Sequence, residues 1–120
     1  MNVEQEQNVT LGPIGDRVIF ENELVRVWIL TLGPGEKQSW HRHHHPYLIV
    51  PLTCGKGRIT FLDGTVLEPV EEAGMAIWRE PGQIHELVNT ADWEYQNILV
   101  EIKQDARTEK PPADQRLAGR

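Results

Sequence analysis

The sequence lacks the features that mark several large classes of protein. Its single cysteine, Cys54, cannot form an internal disulfide, which argues against a disulfide-stabilised secreted fold. No apolar run approaches the roughly 20 residues that a membrane-spanning helix needs. The chain starts with a polar, acidic stretch that has neither the basic nor the apolar region of a signal peptide. These absences predict a cytoplasmic protein that does not contact a membrane.

Positive charge is also scarce. The chain has 12 basic against 18 acidic residues, and its formal net charge is -6. Because nucleic acids are bound through stripes of positive charge, we expect no nucleic-acid partner. We interpret the excess of negative charge as an aid to solubility. The length of 120 residues predicts a single domain.

A sustained helical period is missing as well. Short runs rich in valine and isoleucine, such as "RVIF" and "ELVRVWILTL", alternate with turn signals such as "GPGE" and "CGKG". This alternation is typical of an all-β sandwich or barrel. We predict that this all-β domain covers residues 16–103, preceded by an arm at 1–15 and followed by a polar tail at 104–120.

Histidine, in contrast, is concentrated. Four of the five histidines lie in "HRHHH" at 41–45, and the interrupting arginine and the mid-chain position argue against a purification tag. Alternate side chains of a strand share one face. This places four side chains together: His41, His43, His45 and Tyr47. Imidazoles two residues apart on a strand can bind one metal ion, so the cluster predicts a metal site rather than ordinary surface or core histidines.

A spaced motif surrounds the first two of these histidines. Gly35 is followed by five residues and then by His41 and His43. This spacing resembles the first motif of the cupin family. In that family a glutamate normally follows three or four residues later, where this chain has Tyr47 and Leu48.

A second motif lies further along the chain. Gly74 leads to a Pro-Gly pair that ends at Gly82, and His85 and Asn89 follow at the spacing of the second cupin motif, although the proline is displaced by one place. The resemblance covers residues 24–102 and is to small single-domain cupins of the cupin 2 conserved-barrel type. "WHRH", a tyrosine and "VPLT" also recur in the short cupins labelled β-alanine-degradation proteins.

The resemblance implies a fold and a metal centre. Cupins are double-stranded β-helices, a jelly-roll type of barrel. It also implies that His41, His43 and His85 converge inside the barrel and bind a divalent metal. Iron(II) is the preferred ion by analogy with three-histidine cupin oxygenases, and nickel, zinc and manganese are further possibilities.

The missing glutamate leaves the rest of the metal shell open. Tyr47 has three interpretations: a weak oxygen ligand, a hydrogen-bond donor or acid beside the metal, or a filler of the pocket. His45 could be a fourth ligand or a substrate contact. Glu101 could supply a carboxylate from another strand, but we favour its interpretation as an edge charge.

Three further side chains are candidates for the substrate pocket. Trp40 and Tyr95 could line it, although buried aromatic residues are ordinary core components. Arg79 could bind a substrate carboxylate, although an exposed strand charge is the simpler interpretation.

Two functional hypotheses follow. The first is a metal-dependent enzyme, an iron dioxygenase-like protein or an isomerase, that acts on a small oxygen-rich or anionic metabolite. The second is a non-catalytic module that binds a metal or a ligand, because a fold does not determine function. In both cases we expect a homodimer, with "RVIF" as the candidate pairing edge.

Overall fold

Every regular element that the structure describes is a β-strand. The computed structural model describes residues 9–103. It has ten strands: β1 (Arg17–Glu21), β2 (Val25–Leu32), β3 (Lys37–Arg42), β4 (Tyr47–Pro51), β5 (Gly55–Phe61), β6 (Val66–Leu67), β7 (Val70–Glu71), β8 (Ile77–Arg79), β9 (Ile84–Asn89) and β10 (Tyr95–Ile102). No helix in this part of the chain is long and apolar enough to cross a membrane. The prediction of an all-β protein is confirmed.

The strands form two antiparallel sheets. The first sheet has the order β1-β2-β10-β4-β8, and the second has the order β3-β9-β5-β6, with β7 also paired to β5. The chain passes repeatedly from one sheet to the other, so the two sheets enclose a common interior. This arrangement is the jelly-roll barrel that the resemblance to cupins implied.

The predicted terminal segments are only partly described. Residues 1–8 of the arm and 104–120 of the tail lie outside the described residues. The last part of the arm lies along β3, since the amide of Gly12 donates to the carbonyl oxygen of Trp40 at 2.7 Å.

The stretch "CGKG" is mostly strand and not the turn that its glycines predicted. β5 begins at Gly55, where a side-chain carbon would lie only 2.5 Å from Cδ1 of Tyr95. This glycine is needed because the ring of Tyr95 packs directly on the backbone of β5.

An irregularity in β3 aligns it with β9. Gln38 pairs with Leu87 and His41 pairs with His85, so three residues of β3 span the same distance as two residues of β9. The extra residue is a β-bulge, and a bulge turns the following side chains to the other face. As a result Gln38 and His41 both line the interior, although strict alternation would separate them.

The side chain of Asn89 joins the two sheets at the end of β9. Its Nδ2 lies 3.0 Å from the carbonyl oxygen of Leu32, 3.1 Å from that of Gly33 and 2.9 Å from that of Trp93. Its Oδ1 accepts a hydrogen bond from the amide of Ala91 at 3.0 Å. Because Asn89 is only 2% exposed, water has little access to replace these bonds.

We expect Asn89→Ala to lower the free energy of unfolding by about 2–4 kcal/mol, because it leaves several buried backbone groups without partners. Urea denaturation followed by circular dichroism measures this change. The matched control is Thr90→Ala at the exposed neighbouring position, which should change the free energy by less than about 0.5 kcal/mol. Equal effects of the two substitutions would contradict the role given to Asn89.

Candidate metal centre

Three histidines meet inside the barrel near one of its ends. His41 lies in β3, His43 follows the end of that strand, and His85 lies in β9 opposite His41. Each offers one ring nitrogen, and these nitrogens lie within 4.8 Å of one another. The rings of His41 and His85 are 4.3 Å apart between centroids, and that of His43 lies 5.1 Å from His41 and 5.3 Å from His85. The cluster could hold a metal ion.

Hydrogen bonds to backbone carbonyl groups determine which ring nitrogen of His41 and of His85 remains available to a metal ion. Nδ1 of His41 lies 2.6 Å from the carbonyl oxygen of Ser39, and Nδ1 of His85 lies 3.2 Å from that of Gln83. A carbonyl oxygen can only accept, so Nδ1 of each ring carries the proton and Nε2 keeps its lone pair. Metal-binding histidines commonly have such a partner on the second nitrogen.

The third ring is held by stacking and by its backbone. The ring of His43 lies against that of Tyr47, with centroids 3.7 Å apart and an interplanar angle of 15°. The carbonyl oxygen of His43 accepts a hydrogen bond from the amide of Gly82 at 3.0 Å. Gly82 has a φ of 119°, which a glycine adopts without strain. The Pro-Gly turn before β9 therefore fixes the backbone of His43.

The ring nitrogens of the cluster are suited to an ion. Nδ1 of His43 is buried and has no hydrogen-bond partner among the described residues, so neither carbonyl nor carboxylate competes for it. Burial lowers the pKa of His43 to about 2 and that of His85 to about 4, with further lowering by neighbouring histidines. Burial also lowers the pKa of His41. All three rings are neutral near pH 7, which is the form that binds metals.

Tyr47 lies in the position where many cupins have glutamate. It is 4% exposed, and its burial raises the pKa of the phenol to about 12, although the nearby positive charge of Arg79 acts in the opposite direction. In the metal-free protein the side chain is therefore a protonated phenol and not a phenolate. This favours the interpretations of Tyr47 as a hydrogen-bond donor or a packing group over that of a direct ligand.

Glu101 is engaged elsewhere, and its interpretation as an edge charge is wrong. It lies in β10, which pairs with both β2 and β4 and is therefore interior to its sheet. Glu101 is 3% exposed, and its carboxylate accepts a hydrogen bond from Nε1 of Trp28 at 2.7 Å and lies 3.6 Å from Nη1 of Arg26. It does not belong to the histidine cluster.

Two cavities meet at the histidine cluster. The outer one lies beside the Pro-Gly turn and Phe61, and the inner one extends into the barrel. Both are lined by the same five side chains: His43, Tyr47, Ile59, Arg79 and His85. A ligand at the histidines could therefore extend in either direction.

The predicted pocket residues divide into two groups. Arg79 and Tyr95 line the inner cavity. Trp40 and His45 are half-buried and are not among the residues that line either cavity. Trp40 precedes His41 in β3 and so faces away from the interior. The chain bends at residues 44–45, which breaks the alternation that placed His45 with the cluster.

Two polar residues of the inner cavity were not predicted from the sequence. Glu71 in β7 and Asn97 in β10 are both buried and line the cavity with Tyr95. The alternation of β10 could have identified Asn97, because it lies between Tyr95 and Leu99 on the same face. Glu71 has no such signal, because its strand has only two residues.

The fold and sequence resemble those of known cupins. A cupin domain from Bordetella pertussis is 31% identical and has a TM-score of 0.68, and the match covers 72% of this chain and 90% of that one. A protein with a double-stranded β-helix domain from Klebsiella pneumoniae matches at 19% identity with a TM-score of 0.60, over 85% of this chain and 89% of that one, which shows the fold alone. No protein-family model matches the chain.

These similarities show that the chain belongs to the cupin family. The chain is also similar to the β-alanine degradation protein BauB of Pseudomonas aeruginosa. The two are 34% identical over 86 residues, which cover 72% of this chain and 90% of BauB. The predicted resemblance to small cupins of this kind is confirmed.

We expect the metal-free protein to lose stability as the pH falls below about 6.5. The folded-state pKa values of His43 and His85 lie below the usual value of about 6.5, so in this range the unfolded chain binds protons that the folded protein does not. The stability is therefore complete above about pH 6.5 and is lost as the pH falls. These two residues together should lower the free energy of unfolding by about 3 kcal/mol between pH 7.5 and 5.5.

Urea denaturation of chelator-treated protein at the two pH values measures this loss. His43→Leu should reduce the pH dependence by about one proton, since an apolar side chain does not titrate. A free energy of unfolding that does not change between the two pH values would contradict the burial of neutral imidazoles.

Proposed function

We propose that this cupin is a cytoplasmic metal-dependent enzyme, either dioxygenase-like or an isomerase, that acts on a small oxygen-rich or anionic metabolite. His41, His43 and His85 would hold the ion. The observation that supports the proposal is the group of three neutral imidazoles, two buried and that of His85 half-buried, to which no carboxylate of residues 9–103 contributes.

The charge of the site supports an anionic substrate. Three neutral imidazoles do not compensate the double positive charge of a divalent ion. Arg79 lines the same cavities, and its charge lowers the pKa values of both Tyr47 and His85. A ligand that brings a carboxylate or an enolate oxygen would offset this positive field.

Iron(II) is the ion that the proposal prefers. A bound divalent ion polarises substrate oxygens, and iron can also activate dioxygen. Nitrogen ligands bind nickel and zinc more tightly than iron or manganese, so a protein purified in air could carry one of those ions instead.

Tyr47 and Arg79 have distinct roles in this proposal. The protonated phenol of Tyr47 lies against the ring of His43 and can donate a hydrogen bond to a substrate oxygen beside it. The guanidinium group of Arg79 can bind a carboxylate and fix its orientation. Both groups would hold the substrate while the surrounding barrel limits the access of water.

Metal analysis tests the ligand set. Protein loaded with iron(II) under anaerobic conditions and then dialysed should retain about one ion per chain. We expect His41→Ala and His85→Ala each to lower the retained metal by at least about tenfold, because each removes one of three ligands. The control is His44→Ala, which removes an exposed imidazole next to the cluster and should retain the ion. Full retention by His41→Ala and His85→Ala would refute the proposed site.

Turnover is tested separately. Oxygen consumption by the iron-loaded protein is measured with β-diketones, thiols and keto acids, and isomerisation of the same carbonyl compounds is followed by NMR. Because the similar protein BauB is named for β-alanine degradation, the panel also includes β-alanine and three-carbon acids. We expect one class of compound to react and His85→Ala to abolish the reaction. Saturable binding without any reaction would contradict the enzyme and support a non-catalytic binding module.

A homodimer is the second part of the proposal. β1 is the edge of the first sheet and pairs with β2. It exposes three consecutive apolar side chains, of which Phe20 is 54% exposed. Free backbone groups beside exposed apolar side chains favour pairing with a second copy of the chain.

Light scattering after gel filtration tests this pairing. We expect the wild-type protein to have twice the mass of the chain and Phe20→Glu to be a monomer, since the substitution places a charge in the interface. Val70→Glu is the control, because Val70 is an apolar and more exposed residue of β7, which pairs with β5 and not with the first sheet. A monomeric wild-type protein at micromolar concentration would refute the dimer.

A further inference from the structure

Three buried polar side chains, joined to one another by hydrogen bonds, line the inner cavity. The phenol of Tyr95 donates to Oε1 of Glu71 at 2.5 Å, and Nδ2 of Asn97 donates to the phenol oxygen of Tyr95 at 2.9 Å. All three residues are buried, with exposed fractions of 9% or less. They line the same cavity as the three histidines.

The carboxylate of Glu71 determines which group donates in both of these hydrogen bonds. An ionised carboxylate only accepts, so the phenol of Tyr95 must use its proton towards Glu71. The phenol oxygen must then accept from Asn97, which turns the Nδ2 atom of Asn97 towards Tyr95. The Oδ1 atom of Asn97 is thereby committed to the opposite direction.

That oxygen has no partner among the described residues. Oδ1 of Asn97 is completely buried and accepts no hydrogen bond, although Asn97 is only 3% exposed. A buried acceptor without a donor is unfavourable, and such atoms usually have a partner in the functional state. The partner that Asn97 requires is a hydrogen-bond donor.

Asn97 lines a cavity that has space for such a partner, and because Oδ1 itself is enclosed, a neighbouring side chain must shift slightly to admit the donor. The free space of the cavity is about 50 Å³, and one water-sized group needs about 10–15 Å³. The remaining lining is mainly aliphatic and includes Leu30, Leu32, Ile49, Ile59, Leu87 and Leu99. The cavity therefore combines an apolar wall with polar groups at the histidines and at Asn97, and Gln38, Lys56 and Arg79 also line it.

We propose that Asn97 and Glu71 form a subsite that binds the hydrogen-bond-donating end of a short substrate, a hydroxyl or a protonated amine. The anionic end of the same substrate lies at the histidine cluster, so this inference rests on the function proposed above. Oδ1 of Asn97 accepts a hydrogen bond from the donor group. The negative charge of Glu71, which is close by through Tyr95, further favours a protonated amine over a hydroxyl.

Paired ligands that differ only in the donor group test the subsite. Zinc-loaded protein, in which no redox reaction occurs, is titrated with unsubstituted carboxylates of increasing length and with the same acids carrying a terminal hydroxyl or amine. At one chain length we expect the donor group to lower the Kd by about tenfold or more. No improvement at any length would overturn the proposal.

Three variants locate the effect. Asn97→Leu should abolish the improvement from the donor group and leave the Kd of the unsubstituted acid within about threefold. Glu71→Gln should weaken the binding of the amine more than that of the hydroxyl, because it removes charge and keeps an acceptor for Tyr95. The control is Gln96→Leu, one residue from Asn97 on the other face of β10, which should keep the improvement. An improvement that persists in both Asn97→Leu and Glu71→Gln would refute the subsite.

The same titrations of the metal-free protein separate this inference from the proposed function. If zinc does not bind but the donor group still improves affinity in a manner that depends on Asn97, the metal site fails and the subsite is supported. If zinc binds and the donor group brings no improvement, the subsite fails and the metal site is supported. Circular dichroism verifies that each variant is folded, and Glu71→Gln carries the test if Asn97→Leu does not fold.

Discussion

The buried amide of Asn89 is the interaction on which the shape of the barrel depends. It connects the end of β2 in one sheet with the end of β9 in the other and with the loop that leads to β10. With this end of β9 fixed, the rest of the strand pairs with β3 and places His85 opposite His41. The alignment of the two histidines thus relies on a polar group at the far end of the same strand.

Burial gives the histidine cluster its chemical character. Removal from water keeps the imidazoles neutral and the phenol of Tyr47 protonated. Arg79 adds a positive charge to the cavity without being a metal ligand. An interior with neutral imidazoles beside Arg79 and Lys56 is suited to receive a negatively charged group, and this property connects the histidine cluster with the substrate class proposed above.

The all-β fold could be predicted from the alternation of strands and turns, and the resemblance to the two cupin motifs predicted that His41, His43 and His85 come together. The side chains around the ligands could not all be predicted. His45 leaves the cluster at a bend that alternation does not anticipate, and the bulge before His41 moves Gln38 to the interior. Glu71 and Glu101 depend on partners from distant strands, since Tyr95 and Trp28 determine where their carboxylates lie.

The orientation of the His41 and His85 rings by carbonyl groups has a consequence for how this site can change. The hydrogen-bond partners of His41 and His85 are the carbonyl oxygens of residues two positions earlier. The side chains of Ser39 and Gln83 therefore do not orient the rings. Substitutions of Ser39 or Gln83 leave the orientation of the two imidazole rings unchanged. The insertion or deletion of one residue in the bulge of β3 would instead turn the side chain of His41 out of the barrel. The geometry of the histidine cluster therefore depends more on the number of residues in β3 and β9 than on which side chains flank the histidines.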